Sequence, residues 1–404
     1  MSIPDIKLTK ASGLGRRDPS EDHISGLILQ GVPTDDIALG DIVTLQSKAD
    51  AENYGIDQDY DDDNKVLVYH HIERFFYRNP SATLYLMLVA TTITLTDMCD
   101  KEKEYVKKLL VEQGGKIRQI GVGLNTEGSF GDVLTAVIKA QALAEEEFIQ
   151  HRPVNILIEG RNFNTTATLA TNLRTLLSPQ VAVVIGADWD ISNKVYLSGY
   201  DEIKPYLTYA AIGDMLGCIS AAKVNECIGW VGKFPLTNAS LGYFINAGIS
   251  NGSKISSISD TDQNTLHEKG YIFVKNYTGK TGYWFQSSPT CAAQSADEAY
   301  IENARTLNKA ARIIRAALLD DLNSPIPLTE EGKITPTMIG YFEGKCTAAL
   351  ENMVSDEEIS AASVYINPDK VFFEEGEKLD IVFKIIPIGV ARMIEGVISL
   401  TLTL

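Results

Sequence analysis

The chain has 404 residues, and its 45% hydrophobic and 22% charged residues are the proportions of a globular protein. This composition excludes a disordered, collagen-like or coiled-coil chain as a whole. The 53 acidic and 36 basic residues give a net charge of −17, and such a surface repels nucleic acid and anionic membranes. We therefore expect neither a nucleic-acid partner nor membrane embedding.

Targeting and metal-binding signals are weak. The first residues lack the basic and apolar regions of a signal peptide. The most apolar run, residues 83–95, is too short to span a bilayer. The five cysteines contain no C-x-x-C pair, which predicts structural thiols in a reducing compartment and gives no zinc-site spacing.

Residues 1–80 carry only short patterns. Ile6 and Leu8 alternate with polar residues, which predicts a short strand, and residues 26–31 form a second strand candidate. Gly13 and Gly15 lie in a flexible break between them. We interpret residues 1–20 as an N-terminal arm, and residues 21–80 as an irregular segment that includes an acidic loop at 57–64.

Residues 81–266 alternate between strand and helix patterns. Short apolar runs predict strands, and apolar residues spaced three or four apart predict helices. In chain order we predict a strand at 84–89, a helix at 101–113, a strand at 117–122, a helix at 132–150, a strand at 153–158, a helix at 168–177, a strand at 181–185 and a helix near 209–224. This order predicts an α/β domain whose parallel-rich sheet is covered by helices on both faces.

Residues 267–396 form a predicted C-terminal domain of α+β type. Aromatic runs at 271–275 and 283–286 flank a Gly-rich turn, which predicts a β-hairpin. Helices are predicted at 297–319 and 340–355, and strands at 371–373 and 379–387. Residues 397–404 alternate strictly, with the apolar Ile398, Leu400, Leu402 and Leu404 on one side, so the chain ends in a predicted half-buried strand.

Two motifs suggest catalysis or phosphate binding, but each has a simpler explanation. Ser250 lies in a G-x-S-x-G pattern, yet a polar segment follows where a nucleophile elbow needs a helix. The only later histidine is His267. The Gly-Lys-Thr at 279–281 lies between two strands and lacks the first glycine of a phosphate loop. We interpret the two segments as a Ser/Gly loop and a hairpin turn.

The acidic and histidine clusters are equally unspecific. The Asp57-x-Asp59-x-Asp61 run resembles the start of a calcium loop, but it lacks the glycine and the bidentate glutamate that such a loop needs. His70 and His71 are adjacent on a predicted helix, so their side chains point apart. We therefore expect no catalytic, cofactor-binding or metal-binding residues. A parallel α/β sheet alone does not identify an enzyme.

Other features indicate assembly. Both termini carry short alternating strands, which can pair either with the sheet of their own chain or with a neighbouring subunit. The helix after residue 297 carries a basic stripe at Arg305, Lys309 and Arg312, with Arg315 nearby. This stripe predicts either a solvated face paired to local acids or a docking surface for an acidic partner.

The C-terminal third resembles the contractile tail sheath proteins of bacteriophages, in particular the sheath-like family of Mu-like and Bacteroidetes phages, and related injection machines. The resemblance is carried by Lys269-Gly-Tyr-Ile-Phe-Val-Lys-Asn-Tyr-Thr-Gly-Lys-Thr-Gly-Tyr-Trp-Phe, Ser288-Pro-Thr, Ala304-Arg-Thr-Leu-Asn-Lys-Ala-Ala-Arg, Gly340-Tyr-Phe-Glu, the strand region 359–366 and Ile386-Pro-Ile-Gly-Val-Ala-Arg. It covers residues 267–404 well and the α/β region loosely. The R-x-x-N-K-A-x-R helix followed by a terminal strand is its most specific combination.

The resemblance implies a structural protein of a virion tail, assembled in the cytoplasm of a host bacterium. Such sheaths are homopolymers of stacked rings around an inner tail tube protein, with baseplate and tail terminator proteins at their ends. The C-terminal domain lies inward, the α/β domain faces outward, and subunits rotate as rigid bodies on contraction. The residues this implies for strand exchange between subunits are Ile3, Ile6, Leu8, Ile398, Leu400, Leu402 and Leu404. Gly13 and Gly15 would be the N-terminal hinge, and Arg305, Lys309, Arg312 and Arg315 would face the tube.

Two other classes of protein remain open on the sequence. One is an α/β enzyme, either a nucleotide-binding protein or a hydrolase, whose thermal unfolding would respond to nucleotide or metal. The other is a ring-forming adaptor of a capsid or baseplate, which would give closed rings and no long polymers.

Overall fold

A seven-stranded sheet organises the larger part of the chain in the computed structural model, which describes residues 21–191, 208–372, 378–396 and 398. The strands up to residue 272 are β1 (Ser25–Gln30), β2 (Ile42–Leu45), β3 (Leu84–Val89), β4 (Gln119–Gly123), β5 (Asn155–Glu159), β6 (Val181–Val184), β7 (Gly186–Asp188), β8 (Ala247–Ile249) and β9 (Tyr271–Ile272). The sheet has the order β2-β3-β1-β4-β5-β6-β9, and β7 pairs with β8 beside it. Only the edge strand β2 is antiparallel to its neighbour.

Helices cover this sheet on both faces, as the alternating pattern predicted. The helices up to residue 268 are α1 (Lys48–Asn53), α2 (Gln58–Asn64), α3 (Val68–Arg78), α4 (Leu95–Cys99), α5 (Val106–Glu112), α6 (Phe130–Ile149), α7 (Ile212–Ala221) and α8 (Asp260–Glu268). Every residue of β1, β3, β4, β5 and β6 is buried, because parallel strands with helices on both faces have no solvated side. The predicted α/β fold class is confirmed.

The interpretation of residues 21–80 as irregular is wrong. This segment supplies β1, which lies between β3 and β4 in the sheet, together with β2 and three helices. The predicted acidic loop is the short helix α2, which begins after the N-cap Asp57. Asp61 is 2% exposed and accepts hydrogen bonds from the backbone N–H groups of Tyr69 and His70. The acidic run therefore caps two consecutive helices.

Helix α7 packs unusually close to α3, and two glycines one turn apart make this possible. A Cβ atom at Gly213 would lie 2.4 Å from the carbonyl oxygen of His71. At Gly217 it would lie 2.8 Å from the carbonyl oxygen of Phe75. Both obstacles are backbone atoms, so they cannot move aside as a flexible side chain would.

The helix predicted at residues 168–177 is also wrong, because this segment consists of turns and a short 3₁₀ helix, Leu173–Thr175. The Lys269 ammonium group donates hydrogen bonds to the carbonyl oxygens of Ala167, Thr168 and Ala170. Those carbonyls are thus bonded to a side chain about a hundred residues away, and they are not available to an α-helix.

The C-terminal part of the chain forms a smaller unit against this body. Its elements are β10 (Val274–Tyr277), β11 (Lys280–Phe285), α9 (Ile301–Leu318), α10 (Pro336–Ser355), β12 (Ile359–Ile366) and β13 (Ile381–Pro387). The predicted hairpin is present as β10–β11, and Gly279 in its turn has φ +87°. Val371 forms only an isolated bridge to Lys333, and no strand begins there in the described residues.

The domain boundary predicted after residue 266 needs correction, because β9 pairs with β6 and completes the main sheet. All five cysteines are buried free thiols. Within residues 21–191, 208–372 and 378–396, no helix has both the length and the apolarity to cross a bilayer.

Candidate assembly surface

The hairpin of β12 and β13 forms a two-stranded antiparallel sheet that packs with one face on α9 and α10. Leu350 and Met353 of α10 are buried beneath it, together with Ile359 on the inner face of β12. Period-two alternation places a second set of apolar side chains on the opposite, exposed face. This outer set is Tyr365, Val382 and Ile386, which are 54%, 49% and 59% exposed.

Both edges of this hairpin are open among the described residues. The N–H of Ile366 points away from β13, because it donates to Oε1 of Glu343 at 2.8 Å. N–H groups of an antiparallel pair point alternately toward the partner strand and away from it. Those of Val364 on β12 and of Phe383 and Ile385 on β13, which pair in the same register, therefore point outward. Two-stranded sheets are marginally stable alone, and open edges of this kind can pair with a further strand.

The chain that leaves β13 is fixed to the body of the subunit at Arg392. Its guanidinium donates to Oε1 of Glu302 and, at 2.7 Å, to Oγ of Ser287. The guanidinium carbon also lies 3.4 Å from the centroid of the Tyr300 ring, which adds a cation–π contact. Beyond this point Ile394 is 88% exposed. The anchored part of the chain therefore ends at Arg392.

Most residues predicted to form the exchanged strands lie outside the described residues. These are Ile3, Ile6, Leu8, Leu400, Leu402 and Leu404, and the predicted hinge glycines Gly13 and Gly15 lie outside them as well. Ile398 is described, and 97% of it is exposed. The strand and hinge assignments stay predictions.

The expectation that Arg305, Lys309 and Arg312 form an exposed basic stripe is wrong. Arg305 is 4% exposed and donates to the carbonyl oxygens of Ala222 and Lys223. The side chains of Lys309 and Arg312 are 13% and 19% exposed.

Asp22 and Glu358 neutralise the stripe within the chain. Asp22 accepts from Lys309 at 2.7 Å and from Arg312 at 3.2 Å, and Glu358 accepts from Lys309 at 2.6 Å. These two acids are distant in sequence and are not the local acids considered above. Of the four basic residues, only Arg315 is exposed.

The pKa of Asp22 shows how strongly its carboxylate interacts with the basic residues of this cluster. Its side chain is buried, and burial alone would raise its pKa. The nearby charges of Lys309, Arg305 and Arg312 outweigh that effect and hold the pKa of the Asp22 carboxyl below 3.8. Asp22 is therefore an anion, held at the start of the described chain by three cations of α9.

The candidate catalytic motif is part of the fold. Ser250 is fully buried, and its hydroxyl donates to the carbonyl oxygen of Gly160 at 2.5 Å. The segment after it is a turn followed by a 3₁₀ helix, so the helix that a nucleophile elbow requires is not there. Across the described residues, no three His, Cys, Asp or Glu side chains form a group that could hold a metal ion.

The crevice where a doubly wound sheet would bind a ligand is filled by side chains. It lies at the carboxyl ends of β1 and β4, where the strand order reverses. Gln30 is 2% exposed and donates to the carbonyl oxygens of Thr91 and Ile93, while its Oε1 accepts from the N–H of Asn125. Asn125 in turn donates to the carbonyl oxygen of Gln30. The buried and hydrogen-bonded side chains of Gln30 and Asn125 therefore weigh against the nucleotide-binding alternative.

Reasoning from sequence missed the contacts of Asp22, Glu302 and Arg392. Glu302 is 1% exposed although it lies in the first turn of α9. The available signal was that Glu302, Arg305 and Lys309 recur at helical spacing beside the apolar face of α9. Apart from Ser288, which bonds Glu302 from 14 residues away, their partners lie 49 to 287 residues away along the chain, so no local pattern identifies them.

Comparison with known proteins places this architecture in a family. A model of the DUF2586 N-terminal domain matches residues 3–288, and a model of the DUF2586 C-terminal domain matches residues 297–404. The chain belongs to the DUF2586 family. No curated protein matches the chain in sequence.

Solved structures with the same fold are contractile sheath proteins. The helical sheath of the anti-feeding prophage in its contracted state is similar with a TM-score of 0.63 and 14% identity, covering 100% of this chain and 99% of that one. The contracted sheath complex of an extracellular contractile injection system, PVC, gives 0.61 and 11%, covering 100% and 98%. A chain of the anti-feeding prophage baseplate gives 0.58 and 14%, covering 100% of both chains. The fold resemblance inferred from the sequence is confirmed.

Proposed function

We propose that this DUF2586 protein is the subunit of a contractile tail sheath. It polymerises around an inner tail tube by exchanging terminal strands between subunits, and it contracts by rigid-body rotation of those subunits. Baseplate and tail terminator proteins would contact the two ends of the polymer, and the α/β body would face outward. The polymer would be part of a virion tail or of a related injection machine, assembled in the bacterial cytoplasm.

The observation that carries this proposal is the β12–β13 hairpin with two open edges. The N–H of Phe383 and of Ile385 on one edge, and of Val364 on the other, face away from the hairpin. Residues 397–404 carry an alternating strand pattern. A terminal strand of one subunit and an open edge of another complement each other across a polymer.

Apolar exposure supports an interface in the same region. Ten of the 21 exposed large hydrophobic side chains described lie beyond residue 318, including Tyr341, Tyr365 and Ile386. Concentrated apolar exposure marks interaction surfaces. The α/β body, in contrast, has a filled switch point and a continuous buried core, so assembly is expected to use the C-terminal unit.

Electron microscopy tests the proposal directly. The purified chain at high concentration, examined by negative stain, should form striated hollow tubes or stacked rings. In parallel, thermal unfolding with and without added nucleotide or Mg²⁺ should show no shift, since the switch point is filled and the described residues contain no metal-ligand cluster. Particles that stay monodisperse together with a nucleotide-dependent shift would contradict the proposal and favour the enzyme alternative.

A further inference from the structure

We propose that helix α9 anchors the bases of both terminal arms, holding the N-terminal one through Asp22 and the C-terminal one through Arg392. This inference rests on the proposed exchange of the arms between subunits. It adds the place from which each arm departs and the residues that fix it. All the contacts involved belong to the described part of the chain.

The site that binds Asp22, which we call the N-terminal seat, consists of the cationic side chains of Arg305, Lys309 and Arg312. Asp22 is 7% exposed, and its carboxylate lies within hydrogen-bonding distance of Lys309 and Arg312. Arg305 reaches the backbone carbonyl of the same residue. The preceding residue, Glu21, pairs with Arg118 at 2.8 Å. The chain is therefore held at residues 21–22, immediately after the predicted arm.

The C-terminal seat has the opposite charge. The carboxylate of Glu302 accepts from Arg392 through Oε1 and from the hydroxyl of Ser288 through Oε2, at 2.5 Å for the latter. The guanidinium also contacts Oγ of Ser287, Sγ of Cys227 and the ring of Tyr300. The side chain of Glu302 is 1% exposed while that of Arg392 is 25% exposed. The carboxylate of Glu302 is therefore buried on α9, and the guanidinium of Arg392 approaches it from the more exposed side.

Both seats lie on one helix, so the two arms start from one rigid element. Residues 302 and 309 are seven positions apart, which is about 10 Å along an α-helix, and residue 312 is about 15 Å from residue 302. The opposite signs of the seats prevent exchange of their occupants, because Asp22 would meet a carboxylate at Glu302, and Arg392 would meet three cations at the other seat. Helix α9 therefore fixes the spacing and the identity of both departure points.

Anchoring affects assembly because it sets the residue from which the C-terminal arm departs, and hence the length of the arm. With Arg392 seated, the predicted arm departs from residue 392; without that contact, it departs from the end of β13 at Pro387, five residues earlier. The longer chain samples a larger volume and lowers the effective concentration of the terminal strand at its acceptor by roughly twofold. Without the contacts of Arg392 the chain also no longer leaves the subunit in one direction, which lowers this effective concentration further.

The anchor can be tested on the monomer by site-directed spin labelling. All five native cysteines are buried, so an Ile394→Cys variant of the full chain takes a nitroxide label selectively at an exposed site. Glu302→Gln removes the charge of the seat with little change of shape. Because a hydrogen bond to a charged group contributes about 1.5 to 3 kcal/mol, the mobile fraction of the label should rise by roughly ten- to a hundredfold.

Three further variants separate anchoring from general damage to the fold. The double reversal Glu302→Lys with Arg392→Glu should restore immobility. Lys345→Gln, which breaks the pair with Asp321 elsewhere in the C-terminal unit, should leave the label unchanged. A label at position 20 should become mobile in Asp22→Asn and not in Glu302→Gln. If Glu302→Gln fails to fold by circular dichroism, Arg392→Gln makes the same test from the exposed side.

A label at position 394 whose mobility is the same in the parent and in both Glu302→Gln and Arg392→Gln would overturn the inference. These results are independent of polymerisation, whereas monodisperse parent particles together with a nucleotide-dependent shift would contradict the proposed function and leave the anchor intact. Where the parent forms tubes, Glu302→Gln should need a concentration about twofold higher or more.

Discussion

Removing the apolar face of the C-terminal strand should abolish polymerisation without affecting the folded monomer. We propose the variant Leu400→Ser with Leu402→Ser, since both leucines lie on the apolar side of the alternation in residues 397–404. The matched control is Thr401→Ser with Thr403→Ser, which alters the opposite side of the same strand and keeps its hydroxyl groups. Both variants retain the full length of the chain.

The structure gives the size of the expected effect. An acceptor edge on β13 offers the N–H and C=O groups of three outward-facing residues, Ile381, Phe383 and Ile385, so about six hydrogen bonds can form at about 0.5 to 1.5 kcal/mol each. Ordering seven donated residues costs about 1 to 2 kcal/mol each, which in total equals or exceeds the gain from these hydrogen bonds. The apolar side chains then decide the balance, and two lost leucines remove about 3 to 6 kcal/mol. This corresponds to a loss of roughly a hundred- to ten-thousandfold in each contact.

Sedimentation velocity and negative-stain microscopy at matched concentrations measure the result. The threonine variant should form tubes as the parent does, and the leucine variant should stay monomeric. Thermal unfolding of the monomer distinguishes donation from pairing within the chain, because about 3 to 6 kcal/mol lost from the fold of a 404-residue subunit would lower its midpoint by roughly 4 to 7 °C. An unchanged polymer, or a leucine-variant monomer with a clearly lower midpoint, would refute the reasoning.

Three other predictions concern the body of the subunit and its charge. Asp22→Asn should destabilise the chain by about 3 kcal/mol or more, because it leaves buried cations uncompensated; urea unfolding measures this, and a loss under 1 kcal/mol would contradict it. The charge of Asp22 adds stability above about pH 4 that is lost as the pH falls through its lowered native pKa. The free energy of unfolding of Asp22→Asn should therefore decrease less on acidification than that of the parent. Gly217→Ala should cost about 1 to 3 kcal/mol by overpacking against the backbone of Phe75, whereas Gly344→Ala, which meets no atom within 4 Å on α10, should be neutral or stabilising. Raising the ionic strength from 0.01 to about 0.15 M shortens the Debye length from about 30 to 8 Å, so polymerisation of subunits that each carry −17 should become easier; tubes that dissolve over this range would argue against repulsion as the main barrier.

Sequence patterns predicted the elements whose stability is local or whose burial is complete. The apolar run of β3 and the periodicity of α6 could each be recognised without knowledge of any partner. The pattern failed where distant side chains decide the structure. Lys269 bonds the carbonyls of the segment predicted as a helix at 168–177, and Asp22 buries a stripe on α9 that appears solvated in sequence.

The same distinction between local patterns and distant contacts applies to the candidate assembly surface. Alternation in residues 397–404 predicts a strand that lies mostly outside the described residues, and the resemblance to sheath proteins suggests a use for it. The acceptor edges could not be predicted, because they depend on the pairing of β12 with β13 and on Glu343 binding the N–H of Ile366. The central position of β1 was equally invisible, since its six residues carry no mark of the strands on either side.

Contacts between the two units favour contraction by movement of whole subunits. Asn308 on α9 is 3% exposed and donates to side-chain oxygens of Asn155 and Gln180 in the body. Lys309 pairs with Asp22 at 2.7 Å. Rotating one unit against the other would break such buried contacts, and each buried ion pair that loses a partner costs about 3 to 5 kcal/mol. The chain outside the seats of Asp22 and Arg392 is not held by these contacts, so we expect relative motion to be concentrated in the arms.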